Sequence, residues 1–257
     1  MGPIALHGGG EFLPGDERFL DTLLQVAAET AFARLQKDTT VAPEVTSRAF
    51  PADGIRITVV PAAASRGLPY RAAAFAVKGF ETRARACGHP IRIGVARVVD
   101  TDSADDPDVA EAIASADLVY LPGGDPDLVP ALLGPTAAGR SLATVHKEGA
   151  VIAGASAGAM ALADWAWTSE GGMHGLGLVH GLIVVPHYDD IRRMAWQTSL
   201  EKVAPPGLGY LGLDERTGVI SVDGQWQVAG EGAAYWFVPG SSAPVVARHA
   251  EPLKLPT

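Results

Sequence analysis

Short apolar, β-branched runs alternate with helical patterns along most of this chain, and that alternation limits it to very few architectures. The runs fall at Pro3–Gly8, Arg56–Pro61, Ile91–Val99, Leu118–Leu121, Ala150–Ala155 and Leu182–Pro186. Around and between them, helical spacing appears at Glu17–Leu35, Tyr70–Ala86, Asp108–Ser115, Asp127–Leu133, Ala137–Glu148, Ala157–Trp165 and Asp190–Val203. Strands that are apolar on both faces need cover on both faces. The order therefore predicts an α/β fold: a doubly wound, mostly parallel sheet with helices on both sides and ligands bound beyond the carboxyl ends of its strands. After about Gly207 the pattern shortens to Leu211–Asp214, Gly218–Val222, Gln225–Ala229 and Ala234–Val238, separated by Gly and Asp. These predict short antiparallel strands at the C-terminal end of the sheet. Lys37 to Gly54, with Thr39, Thr40, Pro43, Ser47, Pro51 and Gly54, reads as a loop. No repeat or linker divides the chain, so residues 1–257 are expected to form a single domain.

One junction carries chemistry. Gly154-Ala155-Ser156-Ala157-Gly158 follows the apolar run and precedes a good helix start, Ala159-Met160-Ala161-Leu162-Ala163. A strand turning sharply into a helix there would lift the Ser156 hydroxyl above the sheet edge, with glycine on each side to avoid Cβ clashes in so tight a turn. At a helix N-terminus the backbone N–H groups and the dipole favour a developing oxyanion. The plainer alternative is a strand-to-helix turn with an unreactive serine.

Composition narrows the function classes. The 257 residues carry a formal net charge of −9, and the basic residues are scattered, which argues against a nucleic-acid partner. No apolar run approaches the ~18 residues of a membrane span, and Met1-Gly2-Pro3-Ile4 lacks a basic leader, so a cytoplasmic protein without a membrane partner is expected. Cys87 is the sole cysteine and is expected to be a buried structural thiol. His7, His89, His146, His174 and His180 lack metal-ligand spacing, so neither a metal nor another cofactor is expected.

Two hydrolase readings compete. His7-Gly8-Gly9-Gly10 spells the oxyanion loop of the α/β-hydrolase esterases. It ends the first strand, however, where that fold places it after several, and the only late histidine is His249. The second reading orders more of the chain. Pro122-Gly123-Gly124-Asp125 precedes the serine turn, Val184-Val185-Pro186-His187-Tyr188 ends a later strand, and Leu213-Asp214-Glu215-Arg216-Thr217 and Ala229-Gly230-Glu231-Gly232-Ala233 follow.

This ordered set resembles the cyanophycinase and aspartyl dipeptidase (dipeptidase E) family of serine peptidases, whose fold is like the class I glutamine amidotransferases. The resemblance runs from Gly8-Gly9-Gly10-Glu11 to the final hairpins. It implies Ser156 as nucleophile, His187 as general base, and Glu215, or alternatively Asp214, as the acid that orients the imidazole. It also implies an oxyanion hole from the backbone N–H of Ala157 and of Gly124 or Asp125. An amidotransferase is disfavoured because the turn carries Ser156 and not cysteine.

The implied substrate is a small peptide, isopeptide or amide, with Pro126, Tyr188, Arg192 and Arg193 as binding candidates. Pro126 stands where cyanophycinases usually have glutamine, and only Arg192 and Arg193 follow His187 where that branch carries a spaced set of arginines. A polymer of β-aspartyl-arginine is therefore a poor fit, and a neutral or basic acyl-side residue is expected to be accepted at least as well as aspartate. A homodimer is possible on this reading, and a ligand-binding member of the same fold without catalysis is the remaining alternative.

Overall fold

The computed structural model describes residues 1–38, 54–168, 170–189, 196, 200 and 203–256. In chain order the first half contains β1 (Ile4–His7), α1 (Glu17–Asp38), β2 (Ile55–Val59), α2 (Pro69–Cys87), β3 (Ile91–Val95), α3 (Thr101–Ala104), α4 (Pro107–Ala114) and β4 (Leu118–Leu121). Then follow α5 (Leu128–Leu133), α6 (Ala137–Lys147), β5 (Val151–Ala155), α7 (Ala157–Leu162), β6 (Trp165–Ala166), β7 (Met173–His174) and β8 (Leu182–Val185). The remainder is strand: β9 (Gly209–Leu213), β10 (Thr217–Val222), β11 (Gln225–Gly230), β12 (Ala233–Phe237), β13 (Val245–Arg248) and β14 (Pro252–Leu253).

The main sheet runs β14-β11-β10-β1-β5-β4-β2-β3. From β1 to β3 every pairing is parallel, and from β1 to β14 every pairing is antiparallel. Alternate residues of the central strands feed two separate cores, as the two-residue period of a strand requires. Ala5, Leu118, Tyr120, Val151 and Ala153 meet α1 and α2 on one face. Ile4, Leu6, Val119, Leu121 and Ile152 pack on the other face with residues of α4, α5, α6 and α7. Helix boundaries follow local chemistry. In α2, Pro69 opens the helix where its missing N–H costs nothing, and Gly88 closes it in the left-handed conformation.

Three features depart from the sequence reading. Leu182–Val185 does not join the parallel sheet; it pairs with β9 in a second sheet, β13-β12-β9-β8, over its own apolar cluster of Ile183, Val185, Tyr188, Leu200 and Phe237. The helix expected to reach Trp165 stops at Leu162, because Ala163 turns extended and Trp165–Ala166 pairs with Met173–His174. Cys87 is only half-buried, and its thiol donates to Asp21 Oδ1 at 2.9 Å, with burial and that carboxylate raising its pKa. Most of the loop expected over Lys37–Gly54 and of the helix expected over Asp190–Val203 lies outside the described residues.

Candidate active site

β1, β4 and β5 lie side by side and parallel, so their carboxyl ends deliver His7, Leu121 and Ala155 to one edge of the sheet. Ser156 follows β5 directly and adopts φ 50°, ψ −115°, a conformation that costs a non-glycine residue energy and persists only where surroundings enforce it. The enforcement is visible. A Cβ on Gly154 would lie 2.5 Å from the carbonyl of Gly158, and one on Gly158 would overlap the carbonyl oxygen of Leu121. The two glycines thus let the strand, the turn and α7 approach closely enough to present the serine.

Ser156 Oγ lies 2.9 Å from His187 Nε2, and His187 Nδ1 lies 2.8 Å from Glu215 Oε1. A carboxylate accepts only, so Nδ1 carries the ring proton and Nε2 is left with a lone pair facing the hydroxyl. The row is partly buried, and the Arg216 guanidinium stands 3.8 Å from the second oxygen of Glu215.

A single loop carries all three groups. Ser156 N–H donates to His7 O at 2.9 Å, His187 N–H to Gly8 O at 2.7 Å, and the N–H of Arg216, next to Glu215, to Gly9 O at 2.7 Å. Successive carbonyls from the last residue of β1 onward therefore hold the three segments in register. Gly9 has φ 104°, and a Cβ there would overlap Cε1 of His187, so the imidazole rests on bare backbone. Beneath the loop, His7 and Asp16 are each 1% exposed and hydrogen-bonded at 2.9 Å. The other ring nitrogen of His7 accepts from Gly9 N–H at 3.3 Å, and Asp16 Oδ2 accepts from Phe12 N–H at 2.7 Å. The pair thus ties down both ends of the glycine turn.

The N–H of Ala157, at the start of α7, has no intrahelical acceptor. Neither it nor the N–H of Gly124 is taken by another group among the described residues. Asp125 is different, and the expectation that it could supply the second donor is corrected: its N–H is given to Ala63 O at 2.7 Å. Asp214 is likewise set apart from the imidazole. Its Oδ2 accepts from Ala233 N–H at 2.9 Å, which leaves Glu215 as the carboxylate on His187.

The binding candidates fare unevenly. Pro126 is half-buried beside the turn after β4. Tyr188 is 2% exposed, packs against Tyr235 and Phe237 in the second sheet's cluster, and lines a small pocket there with Val185, Leu200 and Tyr210. Arg192 and Arg193 lie outside the described residues. His249 approaches Gly230 N–H and not Ser156, so the esterase arrangement is not formed. Sequence reasoning missed Asp16, Glu11 and Arg216. The position of Glu11 directly after the glycine run was its only visible signal. Among the described residues, no group of three or more His, Cys, Asp or Glu side chains is placed to hold a metal ion, and no helix is long and apolar enough to cross a membrane.

The fold and this row of groups define an α/β hydrolytic enzyme of serine type. The model of peptidase family S51 matches residues 37–228, and the chain belongs to that family of serine peptidases. Among solved structures, a peptidase from an acI-B1 Actinobacterium matches with TM-score 0.75 and 23% identity over 99% of this chain and 97% of that one. A protein of Listeria monocytogenes EGD-e, provisionally assigned as a peptidase E, matches with TM-score 0.55 and 13% identity over 90% of this chain and 100% of that one. Among the curated proteins, none matches.

Proposed function

We propose that this peptidase cleaves a small peptide, isopeptide or related amide through an acyl-enzyme on Ser156. The observation that carries the reading is the hydrogen-bonded row Ser156–His187–Glu215, at 2.9 and 2.8 Å, standing at a strained turn. His187 Nε2 takes the proton as Oγ attacks the carbonyl carbon, and Glu215 stabilises the imidazolium that forms. The carbonyl electrons move onto oxygen, which settles between the N–H groups of Ala157 and Gly124. Collapse of that intermediate expels the amine with the proton from Nε2. Water, deprotonated by the same nitrogen, then releases the acid and restores Ser156.

Labelling with a fluorophosphonate followed by peptide mapping tests the reading. A tag on Ser156, lost in Ser156→Ala and His187→Ala, is the expected result. Hydrolysis that survives Ser156→Ala would overturn it.

A further inference from the structure

Glu11 is, among the described residues, a carboxylate beside the nucleophile that the reaction as described does not use. Its Oε1 accepts from Gly123 N–H at 3.2 Å. A point one bond from the Gly123 Cα lies 3.2 Å from Ser156 Cβ and 3.3 Å from that same Oε1, so carboxylate and serine border one small space. Glu11 and Gly123 also line a cleft of about 300 Å³ with Gly10, Phe12, Phe75 and Pro122, and the cleft wall carries no basic side chain. Among the described residues no cation pairs with Glu11. Its charge and that of Asp16, which His7 partners, both reach the buried Tyr120 and, after burial itself, push that phenol's pKa up.

A negative charge so close to the carbonyl under attack opposes the oxyanion that must form there. The arrangement makes sense if the substrate brings the missing positive charge. Resting on the reading of Ser156 as nucleophile, we infer that Glu11 is a specificity-determining residue that binds a cationic nitrogen on the acyl-side residue of the substrate, whose aliphatic carbons lie along Phe12, Phe75 and Pro122. An aspartyl side chain in the same place would meet carboxylate with carboxylate. It is disfavoured for that reason.

The nitrogen could be the α-amine or a side-chain ammonium, and a set of fluorogenic amides separates them: lysyl, norleucyl, alanyl and aspartyl, each with a free and an N-acetylated amine. In the wild-type enzyme the lysyl over norleucyl ratio of kcat/KM, or the free over acetylated ratio, should be about tenfold or more, since hydrogen bonds to a charged group discriminate at that level. The same ratio should fall as salt rises. In Glu11→Gln it should approach one, with the change residing mainly in KM, and a ratio does not depend on how much of the variant folds. Equal cleavage of cationic and neutral members, or a preference for aspartyl, would overturn the inference. So would fluorophosphonate labelling of Ser156 without cleavage of any member, while the proposed function would stand. No labelling and no cleavage would remove both.

Discussion

The imidazole of His187 rests against the backbone of Gly9, where a single added methyl would overlap Cε1. Gly9→Ala should therefore displace the ring from Ser156 without touching any group that reacts. Its φ of 104° adds strain that alanine tolerates poorly. We expect kcat to fall by at least about a hundredfold, because small misplacements of a base cost on that order. Circular dichroism should show the fold retained.

Ser156→Ala and His187→Ala should each lower kcat/KM by several orders of magnitude, and the double variant should be scarcely worse than either one. Groups that act as a unit are lost as a unit. His249→Ala, at an exposed ring that meets Gly230 N–H and not Ser156, should leave the rate within about twofold, since surface changes outside the reacting groups have small effects. A parallel assay of the four proteins on one substrate checks all of these.

Gly158→Ala should prevent stable folding or lower Tm steeply, because its Cβ would overlap Leu121 O, a backbone atom that cannot rotate away. Gly94 provides the contrast. A Cβ there meets nothing within 4 Å on the edge strand β3, so Gly94→Ala should stabilise the chain by about 0.5 kcal/mol through the unfolded state. Thermal denaturation of the two variants beside the parent decides both.

Burial of the His146 ring, followed by the nearby N-terminal ammonium, holds its pKa below the ordinary 6.5. The folded chain thus takes up this proton less readily than the unfolded chain. Stability is full above the ordinary value and declines as pH falls through it toward the folded value. Replacing the ring by leucine should flatten that decline. Comparing Tm of His146→Leu and the parent between about pH 7.5 and pH 5 measures the difference; equal slopes would refute this account.

The parallel core was legible because β1, β4 and β5 are apolar on both faces, a pattern that only a sheet covered twice can satisfy. The serine turn was legible because its two glycines announce close packing. Other parts were not, for physical reasons. Leu182–Val185 is apolar enough for either sheet, and only its long-range pairing with β9 decides. Asp214 and Glu215 are neighbours with different partners, Ala233 N–H and the His187 ring, and composition cannot tell which one meets the imidazole. The run His7-Gly8-Gly9-Gly10 suggested oxyanion donors, yet its carbonyls are what the site uses, and a sequence does not reveal which way a peptide unit points.

The carbonyls of His7, Gly8 and Gly9 receive groups from residues 156, 187 and 216, so the hydrolytic row is assembled from both ends of the polypeptide. During synthesis the serine emerges long before the segment that supplies Glu215, and β10 must reach β1 before that carboxylate can meet the imidazole. A chain that stops short of Glu215 lacks the carboxylate that meets His187 Nδ1. Completing the row therefore requires strands from distant parts of the sequence, β1 and β10, to pair.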